Sequence, residues 1–324
     1  MRFAKGHGTG NDFVILPDPD GLLELSPQLV ARICDRRTGL GADGVLRPVR
    51  PAAPRPGACE PLAGWFMDYR NADGSMAEMC GNGIRVFVRY LLDHSLAAGP
   101  VIPVATRAGI RRVRQAAGGD LTVDMGAAVV LGAGSAVVGG RPCAGLAIRV
   151  GNPHLACLVE EPVAGFDLVS APLVDDRQFP DGVNVELVRV TGDHRAEMRV
   201  HERGSGVTLS CGTGAVAAAV AAATAAGEWP AGPSVPWVVD VPGGRLSVTP
   251  DAIASLLTGP AVIVATGDLD DSWLAGGGCD PGANVARHAA HQRDVAGCRR
   301  QAGSGRGLSG ISGGQISSAD TSAP

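Results

Sequence analysis

A chain of 324 residues, 45% hydrophobic and 19% charged, can bury a large core and exceeds one average domain, so two domains are expected. A formal net charge of −4 offers phosphates no broad basic field, and the cluster Arg111, Arg112 and Arg114 reads as a solvated strand edge, which excludes nucleic acid as a partner. The alanine-rich stretch 215–226 is too short and too weakly hydrophobic to span a bilayer, and the N-terminus lacks the apolar run of a secretory signal. No membrane association is expected, and the expected location is the cytoplasm.

The coarse element pattern places strands near 13–16, 64–69, 121–124, 147–150, 156–160, 184–190, 196–201, 237–241, 245–248 and 261–266. Prolines at 48, 51, 54, 56 and 61 mark residues 48–61 as a surface excursion. One helix is expected to begin at Cys80 and run through Leu92, and a second to begin at Cys211 and run through 215–226 to a stop at Gly227. From about Gly276 the composition turns to Gly, Ser, Ala, Asp and Arg with little apolar spacing, so 276–324 is expected to be a disordered tail.

The two halves repeat an order of motifs. Gly10-Asn11 precedes strands and then Cys80-Gly81-Asn82-Gly83 opening a helix; Gly151-Asn152 precedes strands and then Cys211-Gly212-Thr213-Gly214 opening a helix. The expected fold class is therefore α/β (α+β), with two pseudo-symmetric domains, each a curved, mostly antiparallel sheet or barrel around a central helix. The expected boundaries are 1–124, with 259–275 returning to it, and 125–258.

Eight cysteines stand in the chain, none in C-x-x-C spacing and with no histidine pair at ligand spacing, so neither a metal nor a disulfide framework is indicated. Cys80 and Cys211 stand apart from the other six because each opens a helix, where unpaired N–H groups and the helix dipole favour a thiolate; the expectation is a thiol pKa below the reference of roughly 8.5. Gly81, Gly83, Gly212 and Gly214 clear side chains from those first turns, so a carboxylate can reach the backbone N–H groups. If the halves close face to face, the two thiols flank one bound molecule, which suits removal of a carbon-bound proton by one and delivery to the opposite face by the other. Lys5 is the only lysine, in no context suggesting a pyridoxal site, so N–H donors must stabilise the developing charge and no cofactor is expected. Asn11, Asn71, Asn152 and Asn184 occupy turn-like contexts, with turn chemistry as their plain alternative. Glu202-Arg203 could grip an amino-acid head group or form a surface ion pair.

The segments Gly6-His7-Gly8-Thr9-Gly10-Asn11-Asp12-Phe13, Asn71-Ala72-Asp73-Gly74-Ser75 with Met79 to Arg85, Gly151-Asn152-Pro153-His154, and Val200-His201-Glu202-Arg203-Gly204 with Ser210 to Ala215 together resemble the diaminopimelate epimerase family, in the family's order across about residues 3–268. The resemblance implies cofactor-free interconversion of LL- and meso-2,6-diaminopimelate, for lysine and peptidoglycan precursors, by a homodimer. It implies Cys80 and Cys211 as the acid and base pair. Asn11, Asn71, Gly81, Asn82, Asn152, Asn184, Glu202, Arg203, Gly212 and Thr213 would hold substrate, and His154 and Glu202 would tune the thiols. Two positions depart from the family pattern: Val207, in Gly206-Val207-Thr208, where a glutamate is common, and Gly44, where many members carry glutamine.

Other readings remain on the residues alone. Gly39 to Gly44 fits G-x-G-x-x-G but follows a helical segment and leads into a strand, the reverse of a dinucleotide loop. Gly310 to Gly314 fits G-x-S-x-G in the tail. A cysteine nucleophile near His154 could serve acyl transfer; a sister isomerase of proline-like substrates also pairs cysteines, and Val207 leaves room for a non-catalytic binding protein.

Overall fold

The computed structural model describes residues 1–51, 63–230 and 234–275. Most of the 48–61 excursion and the whole 276–324 tail lie outside these residues. Two compact units are present, Met1–Leu269 and Asp270–Pro324; of the second, the helix Asp271–Leu274 is described, capped by the Asp270 carboxylate. Among the described residues no helix is long and apolar enough to cross a membrane.

Among the described residues the first unit carries eighteen strands in a mixed sheet, with few helices, as the α/β (α+β) expectation requires. Seven strands precede residue 127: β1 (Arg2–Gly8), β2 (Asn11–Ile15), β3 (Gly44–Val49), β4 (Trp65–Asn71), β5 (Ile102–Thr106), β6 (Gly109–Gln115) and β7 (Leu121–Gly126). Eleven follow: β8 (Val129–Val138), β9 (Arg141–Val150), β10 (Asn152–Leu158), β11 (Leu173–Val174), β12 (Asn184–Gly192), β13 (Arg195–Glu202), β14 (Gly206–Thr208), β15 (Trp237–Val241), β16 (Gly244–Thr249), β17 (Ser255–Gly259) and β18 (Val262–Asp268). The helices of this unit are α1 (Pro27–Cys34), α2 (Gly81–Asp93) and α3 (Gly212–Ala225).

The pairing repeats. From one end the ladder runs β18, β1, β2, β3, β4, β5, β6, β7, and it then continues through β17, β16, β15, β13, β12, β10, β9, β8. Parallel pairs fall at equivalent places, β2 with β3 and β4 with β5 in one series, β10 with β12 and β13 with β15 in the other. The pairing of β7 with β17 lies at the centre of this order, so the expected duplication is visible in hydrogen bonding as well as in motif order.

Each series wraps a helix. The α2 helix packs against β1, β2 and β7, and α3 against β9, β10, β12, β13 and β16. The face of α2 toward the sheet buries Ile84, Val86, Phe87, Val88 and Leu91. In α3, Ala215 through Ala223 are buried all round, because side chains no larger than methyl or isopropyl let strands approach from several sides. Replacing Ala219 with leucine inserts volume into a filled space, and an overpacking cost of about 1–3 kcal/mol is predicted, read as a lowered thermal midpoint; an unchanged midpoint would show that α3 is loosely packed.

Candidate active site

Both helices start as the sequence pattern predicts. Cys80 caps α2, its sulfur accepting the Gly83 N–H at 3.3 Å, and Cys211 caps α3, its sulfur accepting the Gly214 N–H at 3.4 Å. Each cap residue is extended, so each thiol turns back over its own first turn. The two starts abut. A Cβ placed on Gly212 would stand 3.1 Å from the Gly81 Cα and 3.5 Å from the Asn82 nitrogen, which is why glycine is required there. Asn82 ties the starts together, its Nδ2 donating to Ser210 O at 3.0 Å and to Asn11 Oδ1 at 3.2 Å. Thr9, in a tight turn at φ 49, adds a hydroxyl bond to Ser210 at 2.7 Å.

Around this junction Asn11 Oδ1 lies 3.7 Å from the Cys80 sulfur, while its Nδ2 donates to Asp43 Oδ2 at 2.7 Å. That bond fixes which end of the amide faces the thiol. Asp43 is held in turn by Arg36, which also grips Asp12, and Lys5 donates to Asp12 at 2.7 Å. Thr213 Oγ1 lies 3.5 Å from the Cys211 sulfur. Glu202 accepts a short hydrogen bond from Thr208 and faces Cys211. Thr208 thus supports Glu202 beside the exposed Val207, where the family's common glutamate is absent. At the other departure, a Cβ on Gly44 would stand 2.8 Å from the Tyr69 ring, so that ring occupies the space of a side chain at 44.

The remaining predicted residues lie in different surroundings. Asn152 and Asn184 are hydrogen-bonded inward, Asn152 Oδ1 to His154 Nε2 at 2.9 Å and Asn184 Oδ1 to the Arg203 N–H at 2.8 Å. Arg203 points its guanidinium at Asp181 O, and Asn71 bonds Ser75, both on the exposed surface. His154 reaches no thiol. It is fully buried, with Nδ1 on Glu186 Oε1 at 2.6 Å.

The expected depression of the thiol pKa values is overturned: both thiols are raised. Burial pushes the Cys80 thiol up to about 11, with the Gly83 N–H opposing and the Glu202 charge adding to the rise. Cys211 is pushed well above its ordinary value by burial, then by the charges of Glu202 and Glu186. Helix N–H groups favour each thiolate, yet loss of water outweighs them. Glu202 acts on both sulfurs, and the buried Tyr69 phenol is raised by burial and then by Cys80, Glu202, Asp43 and Cys211, so these groups face a common region.

Sequence reading missed Glu186, Tyr69, Arg85 and Ser210. Arg85 is wholly buried, its pKa lowered to about 10 by burial, and it donates to Asn82 Oδ1 at 3.0 Å. A charged residue inside an apolar helix, and an acidic one inside the apolar run Val185 to Val188, were the available signals.

The comparisons agree with this layout. The diaminopimelate epimerase family pattern matches residues 3–131 and 146–266. The chain belongs to the diaminopimelate epimerase family. A diaminopimelate epimerase of Thermobifida fusca is 55% identical over 283 residues, covering 85% of this chain and 100% of its own length. One of Mycobacterium tuberculosis is 52% identical over 288 residues, covering 84% and 98%. Among solved structures, a PhzF-family phenazine biosynthesis protein of Bacillus anthracis superposes with TM-score 0.62 at 16% identity, over 83% of this chain and 99% of that one. A hydroxyproline epimerase of Agrobacterium vitis gives TM-score 0.59 at 16% identity, over 82% and 91%. These two share the fold.

Asn82→Ala removes the amide that joins the helix starts and leaves Ser210 O and the Arg85 guanidinium short of a partner. A loss of about 1–3 kcal/mol in urea unfolding is predicted; unchanged stability would mean that the junction is held elsewhere.

Proposed function

We propose that this epimerase interconverts LL- and meso-2,6-diaminopimelate, without a cofactor, with Cys80 and Cys211 as its two proton-transfer groups. The observation that carries the reading is the abutment of two cysteine-capped helix starts, in a chain 55% identical over 283 residues to a named diaminopimelate epimerase. The reacting carboxylate would sit on the N–H groups of Gly81, Asn82, Gly212 and Thr213, where two helix dipoles favour negative charge. One sulfur, as thiolate, takes the α-proton; the other, as thiol, delivers its proton to the opposite face. The charge developing on the carboxylate is held by the same N–H groups in a water-poor space. Asn11, Asn71, Asn152, Asn184, Glu202 and Arg203 would contact the distal amino-acid end. Burial raises both thiols, and a bound substrate's ammonium would favour the thiolate. His154 would tune the thiols through Glu186, and Glu202 directly.

We also infer halves at 1–124 with 259–275 and at 125–258, supported by the mirrored strand order. A cytoplasmic location, a homodimer, and a place in lysine and peptidoglycan precursor synthesis follow from the family resemblance.

Incubation of the purified protein with LL-diaminopimelate in deuterated water should give meso product carrying deuterium at one α-carbon. Cys80→Ala and Cys211→Ala should each lower turnover by at least about 10²–10⁴-fold. Wild-type rates in both variants would contradict the assignment, and a trapped thioester without α-carbon exchange would point to acyl transfer instead.

A further inference from the structure

The repeated topology allows the two thiols to be compared position by position, and their surroundings differ in charge. Phe13 pairs with Gly44 and Ile15 with Leu46; at the equivalent places His154 pairs with Asn184 and Ala156 with Glu186. The space under the first turn of α2 confirms the equivalence. A Cβ on Gly83 would meet Leu46 at 3.3 Å and Phe13 at 3.4 Å, whereas a Cβ on Gly214 would meet Glu186 Oε1 at 2.7 Å. Cys80 therefore stands on a leucine and a phenylalanine, and Cys211 on a carboxyl held by a histidine. The helices differ as well: Arg85, five residues after Cys80, is wholly buried, and Val216 takes its place after Cys211. A cation accompanies one sulfur and a carboxyl the other.

Glu186 is fully buried, and its second oxygen, Oε2, has no hydrogen-bond partner among the described residues. Such a group is costly to keep unless it does something that an apolar residue cannot, and at the equivalent site Leu46 shows that an apolar residue fits. The titratable groups that interact with Glu186 are His154, Cys211, Glu202 and Cys157. Facing Cys211 are Glu202, Glu186, Thr213 and the Gly214 N–H; facing Cys80 are the Gly83 and Asn82 N–H groups, Glu202, Arg85 and Asn11; the Tyr69 phenol faces both sulfurs. Glu202 acts on both sulfurs but hydrogen-bonds Cys211 alone, so it works in the same direction as Glu186, and only substitution of Glu186 separates the two contributions.

We propose that Glu186, held by His154, is a positioning residue that keeps Cys211 as the protonated thiol, so that Cys80 is the sulfur that ionises first and rests as the base. Naming base and acid in this way rests on the two-base reading; the order of ionisation does not. The electrostatics agree in direction: burial pushes the Glu186 carboxyl up while His154 opposes that rise and favours its charge, which disfavours a Cys211 thiolate, and the charge of Arg85 favours a Cys80 thiolate.

The test is alkylation of the full chain by iodoacetamide across pH, with each thiol followed by peptide mass spectrometry and the folded state checked by thermal melting. In the wild type Cys80 should react before Cys211 as pH rises. Glu186→Gln preserves shape and removes the charge, and Glu186→Leu reproduces the packing at Leu46. Either variant should raise Cys211 labelling relative to Cys80 by about tenfold at pH 8, the effect of one pH unit in thiol ionisation, with Cys80 itself unmoved. A merely structural role would shift melting and leave the ratio alone. A wild type in which Cys211 reacts first, or a labelling ratio within twofold of wild type in both variants, overturns the proposal. Because labelling needs no substrate, this outcome is separate from failure of the deuterium-exchange assay, which bears on the reaction itself.

Discussion

The site depends on the backbone-to-backbone approach of two helix starts. A side chain on Gly212 would press on the Gly81 backbone at 3.1 Å, one on Gly81 would meet Met125 at 2.8 Å, and Leu257 lies against both. Two first turns with unpaired N–H groups therefore lie side by side, and their dipoles would add for a carboxylate bound there as proposed above. Asn82 and Ser210 stitch the approach with hydrogen bonds, and the alanine surface of α3 lets its surrounding strands close tightly enough to bring it there. A bulkier helix would hold its own start away from the partner.

Much of this was legible in local sequence. A cysteine followed by Gly-x-Gly before an apolar run specifies an N-cap, and both caps formed at the residues so marked. Strands with clear β-branched runs, such as Trp237–Val241 and Asn184–Gly192, coincide with the expected ones. The arginine cluster at 111–114, read as a solvated strand edge, does lie in a strand, Gly109–Gln115, but one paired on both sides, with β5 and β7; Val129–Val138, interrupted by glycines, was not anticipated. Both are held by the strands next to them in sequence, Gly109–Gln115 between β5 and β7 and Val129–Val138 against β9, so ladder pairing supplies the order that their own side chains do not signal. Pro48, expected to open a loop, lies within the strand Gly44–Val49, paired opposite Met67.

The ionisation of the thiols was the least legible feature. Sequence exposes the dipole of a helix start because it is local, but burial is a property of the assembled fold, and here burial dominates. Glu186 was hidden for the same reason. Its strand reads as an apolar run with one acidic residue, and only register shows that the residue lies under Cys211 rather than in solvent. The duplicated architecture thus supplies two similar frames, and a few substituted positions, Glu186 for Leu46, His154 for Phe13 and Val216 for Arg85, make the frames chemically unequal.

The account requires that both sulfurs serve one bound molecule. A crystal structure of the protein with an unreactive diaminopimelate isostere tests this most directly. The Cys80 and Cys211 sulfurs should lie on opposite faces of the same α-carbon, with its carboxylate on the N–H groups of both helix starts; a ligand touching one sulfur alone, or seated away from both, would contradict it.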